Sequence, residues 1–190
     1  MNQTAPRGPR ARLGEKDDAE LVAISRRQLP HVTLAYEVLM RRHQAALART
    51  CTRYLGSVHD AEEVVHEVML RVFHGLPKFK GESSFRTWLY RIAYNESMNY
   101  LRKRRDTQAL DGVDESAYLA TEPHTLEQRV MAQRLDRSLA RLNPQDRTIV
   151  VYRAIAELEF REIADILELN LSTVKMRYQR ALEKLKPLYD

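Results

Sequence analysis

The sequence predicts an all-α protein made of two small helical domains. Apolar residues recur three and four positions apart over long stretches, as on the buried face of a helix, and no alternating run is long enough to indicate a sheet. Only 6 Gly and 7 Pro occur among the 190 residues. An acidic stretch without helical periodicity separates two periodic blocks, residues 17–105 and 126–190.

Four helices are predicted in the first block. The second can be capped by Thr33 and ends at Gly56, because glycine easily adopts the left-handed conformation that ends many helices. The third opens at Asp60, with Glu63 completing a variant of the capping box. The predicted helices lie near residues 19–27, 34–55, 60–75 and 85–105.

The fourth helix carries more polar and aromatic residues than a core helix needs. Aromatic rings can stack on unpaired bases while Asn and Arg bind base edges, and hydroxyl groups of residues 80–84 could receive a flipped base. Phe85 and Trp88 are better explained by a core role or a dual role, and Arg102 could also belong to a solvated helix end. The positions off the apolar stripe are Arg86, Tyr90, Arg91, Tyr94, Asn95, Met98, Asn99 and Arg102.

The second block ends in a helix-turn-helix pattern, because only residues 168–171 separate its last two helices. Val174, Tyr178 and Leu182 form the inward stripe of the final helix. Its outward Lys, Gln and Arg side chains suit the DNA major groove, although a merely solvated helix would show the same pattern. The block's helices are predicted near residues 126–142, 144–156, 160–167 and 172–186.

Two further segments differ in charge from the helical blocks. Residues 1–16 contain four cations, two Pro and two Gly, which predicts a flexible basic arm. Residues 106–125 contain no Lys or Arg and are expected to form a flexible acidic linker.

Composition limits the classes of protein further. The single cysteine, Cys51, cannot form an internal disulfide, which favours a reducing compartment, and its apolar stripe predicts a small buried hydrophobe. No run of about 18 apolar residues exists, and the basic N-terminus lacks the apolar segment of a signal peptide, so we expect a cytoplasmic protein without membrane insertion. The net charge of +5 favours a polyanionic partner.

Taken together, these segments resemble the extracytoplasmic-function (ECF) sigma factors of bacterial RNA polymerase. Residues 60–68 (DAEEVVHEV) and 79–95 (FKGESSFRTWLYRIAYN) are similar to sigma region 2. Residues 142–147 (LNPQDR), 161–164 (REIA) and 172–182 (STVKMRYQRAL) are similar to sigma region 4. The resemblance extends over nearly all of the chain between residues 17 and 187, in the order that the family has.

The resemblance implies a transcription-initiation subunit that binds core RNA polymerase, directs it to −10 and −35 promoter elements and promotes DNA melting, in a stress or extracytoplasmic response. An anti-sigma factor is an implied further partner. The first domain would dock on the clamp helices of the largest subunit through Asp60, Glu63 and Glu67, and the second on the β flap. The −10 contacts would be Lys80, Ser83, Ser84, Trp88, Arg91, Tyr94, Asn95, Asn99 and Arg102. The −35 contacts would be Ser172, Thr173, Lys175, Met176, Gln179 and Arg180.

The chain departs from the family pattern at several positions. Glu157, Glu168 and Ser172 stand where glycine is common, and Glu168 occupies a turn position that often needs a left-handed backbone. His66 replaces a usual glutamine and Met176 a common serine. We therefore expect a turn that is either slightly different in shape or strained, and a −35 preference that differs from the family's.

No sequence pattern indicates an enzyme, a cofactor or a metal site. A phosphate-binding loop, a nucleophile elbow and a catalytic carboxylate pair are all missing from the sequence. His59, Glu63 and His66 could share a helix face, but no fourth metal ligand is near in sequence, which favours a solvated cluster. One alternative to a sigma factor is a stand-alone helix-turn-helix regulator, which would leave the polar face of residues 90–102 without a role. The other is an enzyme acting on nucleic acid, which would need an acidic cluster and a metal site that the sequence does not show.

Overall fold

A computed structural model describes residues 8–108 and 126–186, and within these residues the secondary structure is helical, with no strand. The predicted all-α class is confirmed. Residues 109–125, most of the predicted linker, lie outside the described residues. The helices are α1 (Pro9–Gly14), α2 (Asp18–Gln28), α3 (Leu34–Leu55), α4 (Val58–Gly75), α5 (Phe85–Gln108), α6 (Leu126–Ala140), α7 (Pro144–Ala154), α8 (Phe160–Leu167) and α9 (Leu171–Leu185), with a 3-10 turn at Leu76–Lys78.

Helix ends follow local sequence, with two corrections. Ser57, not Asp60, caps α4: its backbone is extended and its hydroxyl accepts a hydrogen bond from the Asp60 amide at 3.2 Å. Thr33 stands at the N-cap of α3 but donates its hydroxyl hydrogen to Glu37 instead of accepting one from the backbone. Gly56 ends α3 in the predicted left-handed conformation, with φ of 77°.

The first unit, α1 to α5, is a bundle in which α3 packs against α4 and α5. Its apolar stripes meet in a core that includes Leu39, Leu47, Val68 and Leu89, all of which are fully buried. The Tyr36 hydroxyl donates to the backbone oxygen of Met69 at 2.7 Å and so joins α3 to α4 within this core.

Helix α1 lies in the stretch for which composition predicts a flexible arm. It packs on α3 instead: Arg10 forms an ion pair with Glu37 at 2.6 Å, and Leu13 contacts the core. Arg42 donates to the backbone oxygen of Gly14 at 2.7 Å. Long-range contacts therefore hold residues 9–14 as an attached helix, which composition alone does not indicate.

The second unit, α6 to α9, is organised around α7. Ile149 of α7, Ile163 of α8 and Val174 of α9 are fully buried against one another's helices. The rings of Phe160 and Tyr178 meet edge to face at 5.1 Å and join α8 to α9. This packing sets the angle between the two helices of the helix-turn-helix.

The two units also pack against each other, α3 on α7 and α5 on α8. Tyr152 is almost fully buried, its ring lies 5.5 Å from that of Tyr90, and its hydroxyl donates to the Tyr90 backbone oxygen at 3.1 Å. One cluster of buried hydrophobic residues continues through both units. No local sequence pattern predicts this contact.

In the described residues, no helix is both long and apolar enough to cross a membrane.

Candidate nucleic-acid interface

The turn between α8 and α9 adopts the left-handed conformation expected from its position. Glu168 ends α8 with φ of 55° and ψ of 41°, and Glu157, before α8, has φ of 53°. Both are positions where the sequence comparison with the family pattern leads one to expect glycine. The backbone is left-handed at both positions although a side chain is present, so the strain that was one of the two expectations for this turn is present.

Helix α9 presents a polar face to solvent, in the register predicted from the apolar stripe. Val174, Ala181 and Leu185 are buried beneath it. Met176 is 46 % exposed, which is unusual for a large apolar side chain. Of the predicted −35 contacts, Ser172, Lys175, Met176, Gln179 and Arg180 are exposed and Thr173 is half-buried.

Arg177, although it lies on α9, belongs to the packing of the second unit. Its Nε donates to Asp146 Oδ1 at 2.7 Å and another of its nitrogens donates to the Gln145 side chain, both at the start of α7. Asp146 is 6 % exposed, so Arg177 neutralises a buried carboxylate. Counting the cations of the helix does not separate this arginine from those that face solvent.

Helix α5 carries the second polar face. Asn95 and Arg102 are exposed, and Tyr94 and Asn99 are half-buried. Arg102 donates to the Asn99 side-chain oxygen at 3.2 Å. A shallow pocket of about 410 Å³ opens beside this face, lined by Arg71, Ile92, Asn95, Glu96, Met98 and Asn99.

Tyr90 does not belong to this face, although the sequence analysis includes it. It is 2 % exposed, packs on Tyr152 and lies within hydrogen-bonding reach of Thr50, and burial raises its pKa. It cannot stack on a base in this arrangement. Trp88 is half-buried, with its ring 4.8 Å from that of Phe79, so it supports the loop before α5.

The loop at residues 80–84 leads into α5. Lys80 is exposed, Gly81 has φ of 76° and Ser83 is half-buried. Ser84 caps the helix, because its hydroxyl accepts a hydrogen bond from the Thr87 amide at 3.0 Å. The capping role of Ser84 was missed in the sequence, where a serine three residues before a helical Thr is the signal that predicts it.

Of the three acidic residues predicted to bind core polymerase, Asp60, Glu63 and Glu67, two form an exposed acidic face on α4. Glu63 and Glu67 are exposed, and Glu67 forms an ion pair with Arg71 at 3.1 Å. Asp60 is 8 % exposed and forms an ion pair with Arg104 of α5 at 2.7 Å. The carboxylate of Asp60 therefore holds α4 and α5 together instead of facing solvent with the other two.

The remaining candidate groups lie apart from these faces. Among the described residues, no three His, Cys, Asp or Glu side chains converge as metal ligands would, and this includes His59, Glu63 and His66. Cys51 is buried as predicted, and burial raises the pKa of its thiol to about 12. Its thiol is therefore protonated and shielded at neutral pH.

Comparisons with known proteins match both units. Residues 39–107 match the family described as Sigma-70 region 2, and residues 132–185 match Sigma-70, region 4. The chain is 32% identical over 169 residues to the ECF RNA polymerase sigma-E factor of Escherichia coli K12, covering 81% of this chain and 88% of the relative. It is 28% identical over 167 residues to the ECF sigma factor SigW of Bacillus subtilis, covering 80% and 87%.

Two solved structures share the fold. One is CnrH in complex with the cytosolic domain of CnrY, with a TM-score of 0.69, 26% identity, and coverage of 91% of this chain and 97% of that one. The other is the sigma factor RpoE with the anti-sigma factor NepR from Bartonella quintana, with a TM-score of 0.71, 22% identity, and coverage of 83% and 98%. With both regions matched in order and an identity of 32% over most of the chain, the protein belongs to the ECF sigma factors of the sigma-70 family.

Proposed function

We propose that this ECF sigma factor recognises a two-part promoter with the two polar faces described above. One observation carries the proposal: each face is solvent-accessible, and each lies in a different matched sigma region. The α5 face would bind the separated −10 strand and the α9 face the −35 duplex. A stand-alone regulator would need only the second face.

The −10 strand is assigned to α5 and the loop before it. Asn95 and Asn99 offer amides to base edges, while Tyr94 and Arg91 supply planar groups on which bases stack. Lys80 and Arg102 bring positive charge to the two ends of this face for the phosphates. Ser83 and Ser84 line the loop that would hold a flipped base, and Trp88 supports it from below.

The −35 duplex is assigned to α9. The Arg180 side chain can bind guanine, and the Gln179 side chain can bind adenine, each through two hydrogen bonds. Lys175 and Ser172 lie nearer the helix N-terminus, where recognition helices approach base edges, and Thr173 is placed beside them. Met176 offers an exposed apolar contact, which suits a thymine methyl group.

Core polymerase is assigned to the acidic face of α4 and to the second unit. Glu63 and Glu67 are exposed and would meet the clamp helices of the largest subunit, while the second unit would dock on the β flap. Asp60 contributes indirectly, by fixing α4 against α5. The chain supplies binding and positioning in this scheme and no catalytic group, and it acts in the cytoplasm with the polymerase.

A protein partner that holds the free chain is also part of the proposal. The two similar solved structures are complexes, one with the cytosolic domain of CnrY and one with the anti-sigma factor NepR. We infer an anti-sigma factor for this chain by analogy with these complexes. Co-purification of the chain with a second protein that blocks binding to core polymerase would support this part.

The test mixes purified chain, core polymerase and a promoter library and maps transcript starts. We expect starts that depend on the chain and lie downstream of a shared two-part sequence. Asn95→Ala should lower open-complex formation without weakening binding to core polymerase. Gln44→Ala, which removes an exposed amide from α3, is the matched control and should behave as wild type.

Two results would contradict the proposal. If no chain-dependent start is found, while the chain alone binds duplex DNA tightly as a dimer, the stand-alone regulator is correct. If Asn95→Ala loses polymerase binding but melts DNA normally in a pre-formed complex, the assignment of the α5 face is wrong.

A further inference from the structure

We propose that helix α6 carries a further DNA-binding surface, which binds phosphates of the duplex that flanks the −35 element. This α6 stripe consists of Arg134, Arg137 and Arg141. The proposal rests on the proposed function of α9, because α9 would bring the duplex to this side of the second unit. The stripe would differ from α9 in its ligand, since phosphate contacts fix the position of a duplex without reading its sequence.

The three arginines lie on one side of the helix. Their spacing of three and then four residues makes them neighbours on a helix surface. Arg141 comes directly after α6, and its amide donates to the Ser138 oxygen at 3.1 Å, so the chain still turns helically there. Leu135 and Leu139 pack on the core, whereas all three arginines are exposed. At about 1.5 Å per residue, the stripe extends along about 10 Å of helix.

No carboxylate among the described side chains neutralises the α6 stripe. Asp136 lies on the same helix but pairs with Arg53 of α3. Arg177 of α9, by contrast, is paired with Asp146 at 2.7 Å. The stripe therefore presents three positive charges to solvent over a short distance, and such a surface attracts a polyanion.

The end of α6 lies beside the proposed DNA-binding face of α9. Arg177 of α9 donates to Asp146 Oδ1 at 2.7 Å and to Asn143 Oδ1 at 3.5 Å. Asn143 is two residues after Arg141. Arg180, an exposed member of the α9 face, is three residues from Arg177 and so lies next to it on the helix. A duplex in contact with Arg180 would therefore pass close to Arg141.

The dimensions of the stripe suit a DNA backbone. One strand carries a phosphate about every 3.4 Å along the axis, so the stripe is about as long as three successive phosphates. The guanidinium fork matches phosphate oxygens through two parallel hydrogen bonds. An acidic protein surface would match the charge of the stripe, but it would not explain why the stripe begins beside the α9 face. We therefore assign the stripe to DNA.

The first experiment measures the salt dependence of binding. The full chain is compared with a triple variant that combines Arg134→Gln, Arg137→Gln and Arg141→Gln, because glutamine is a good helix former without charge. Anisotropy reports binding to a labelled −35 duplex from a promoter mapped as above. Each lost phosphate contact lowers the slope of log affinity against log salt by about 0.9, so we expect a slope lower by up to about three. The two proteins should bind more equally as the salt concentration rises.

The second experiment varies the length of the duplex. About six base pairs, roughly 20 Å of DNA, are added to one side or the other of the −35 element. We expect tighter binding of the wild type after extension on one side only, and no gain for the triple variant on either side. Changing the sequence of the added base pairs should have no effect, because the stripe contacts phosphates.

Two control variants make these results specific. The matched control combines Arg12→Gln, Arg26→Gln and Arg41→Gln, which removes the same charge from exposed positions of the first unit. It should keep the salt slope and the length dependence of the wild type. Arg180→Ala should lose −35 base discrimination and keep the length dependence. Circular dichroism checks that all variants remain folded.

An unchanged salt slope and length dependence in the triple variant overturn the α6 stripe as a DNA surface, even when Arg180→Ala shows that α9 reads the −35 element. Weaker binding to core polymerase with unchanged binding to the duplex would make the stripe a protein contact and also overturn the proposal. If the mapping finds no promoter, the proposed function fails, and the salt slope on a duplex of random sequence still decides whether the stripe binds phosphates.

Discussion

Glycine at position 168 should stabilise the protein, because Glu168 holds a backbone conformation that side chains disfavour. Its φ of 55° and ψ of 41° lie in the left-handed region, where a non-glycine residue costs about 1–2 kcal/mol. Glycine removes that cost but gives the unfolded chain about 0.5–1 kcal/mol more conformational entropy to lose. The net expected gain for Glu168→Gly is about 0.5–1 kcal/mol in the free energy of unfolding.

The structure shows nothing that the substitution would remove. Glu168 is exposed, and its backbone amide closes α8 by donating to the Ala164 oxygen, which glycine retains. For a chain of this size, 1 kcal/mol shifts the melting temperature by about 2–4 °C, so we expect an increase of about 1–4 °C by calorimetry. The −35 preference should not change, because the turn keeps its geometry.

A matched control makes the same substitution at a helical position. Glu183 is exposed within α9, and glycine there should destabilise the helix by about 1 kcal/mol. Opposite signs for the two variants would show that the sign depends on backbone conformation. A loss of stability for Glu168→Gly as large as that for Glu183→Gly would refute the argument that the left-handed turn is strained.

Three other substitutions test the assigned faces. Arg180→Ala should impair promoters according to their −35 sequence, with a loss of about 1–3 kcal/mol of base discrimination, measured as holoenzyme activity on promoters with single −35 substitutions. Lys184→Ala should instead weaken binding to all sequences alike and lower the salt dependence of binding by about one unit of slope. A uniform loss of activity with Arg180→Ala would mean that Arg180 contacts the DNA backbone. Glu63→Lys should reduce affinity for core polymerase most strongly at low salt, and unchanged binding there would remove α4 from the interface. Arg177→Gln should destabilise the second unit by up to about 3–5 kcal/mol in denaturant unfolding, because the buried Asp146 carboxylate loses its cation and keeps only its hydrogen bond from Asn143. Wild-type stability would show that the ion pair contributes nothing.

Local sequence predicted the helices closely because helix formation and capping depend on neighbours within about four residues. Helix α8 has the predicted bounds, and α9 and α7 differ from theirs by one or two residues. The exposed face of α9 followed from the same periodicity, since burying Val174 and Ala181 leaves Gln179 and Arg180 outward. The left-handed backbone at Glu168 was expected from the resemblance to the family, in which glycine is common at this position.

Contacts between distant segments were decided only in the tertiary structure. Periodicity shows that a residue lies off the apolar stripe, but not whether another helix covers it, as α7 covers Tyr90. The sequence shows that a residue is charged, but not whether it pairs with a residue far along the chain, as Asp60 does with Arg104, 44 positions later. The hydrogen bond from Thr87 to Glu162 joins residues 75 positions apart. Such pairs form because the folded units bring complementary groups together, and a single sequence has no local signal for them.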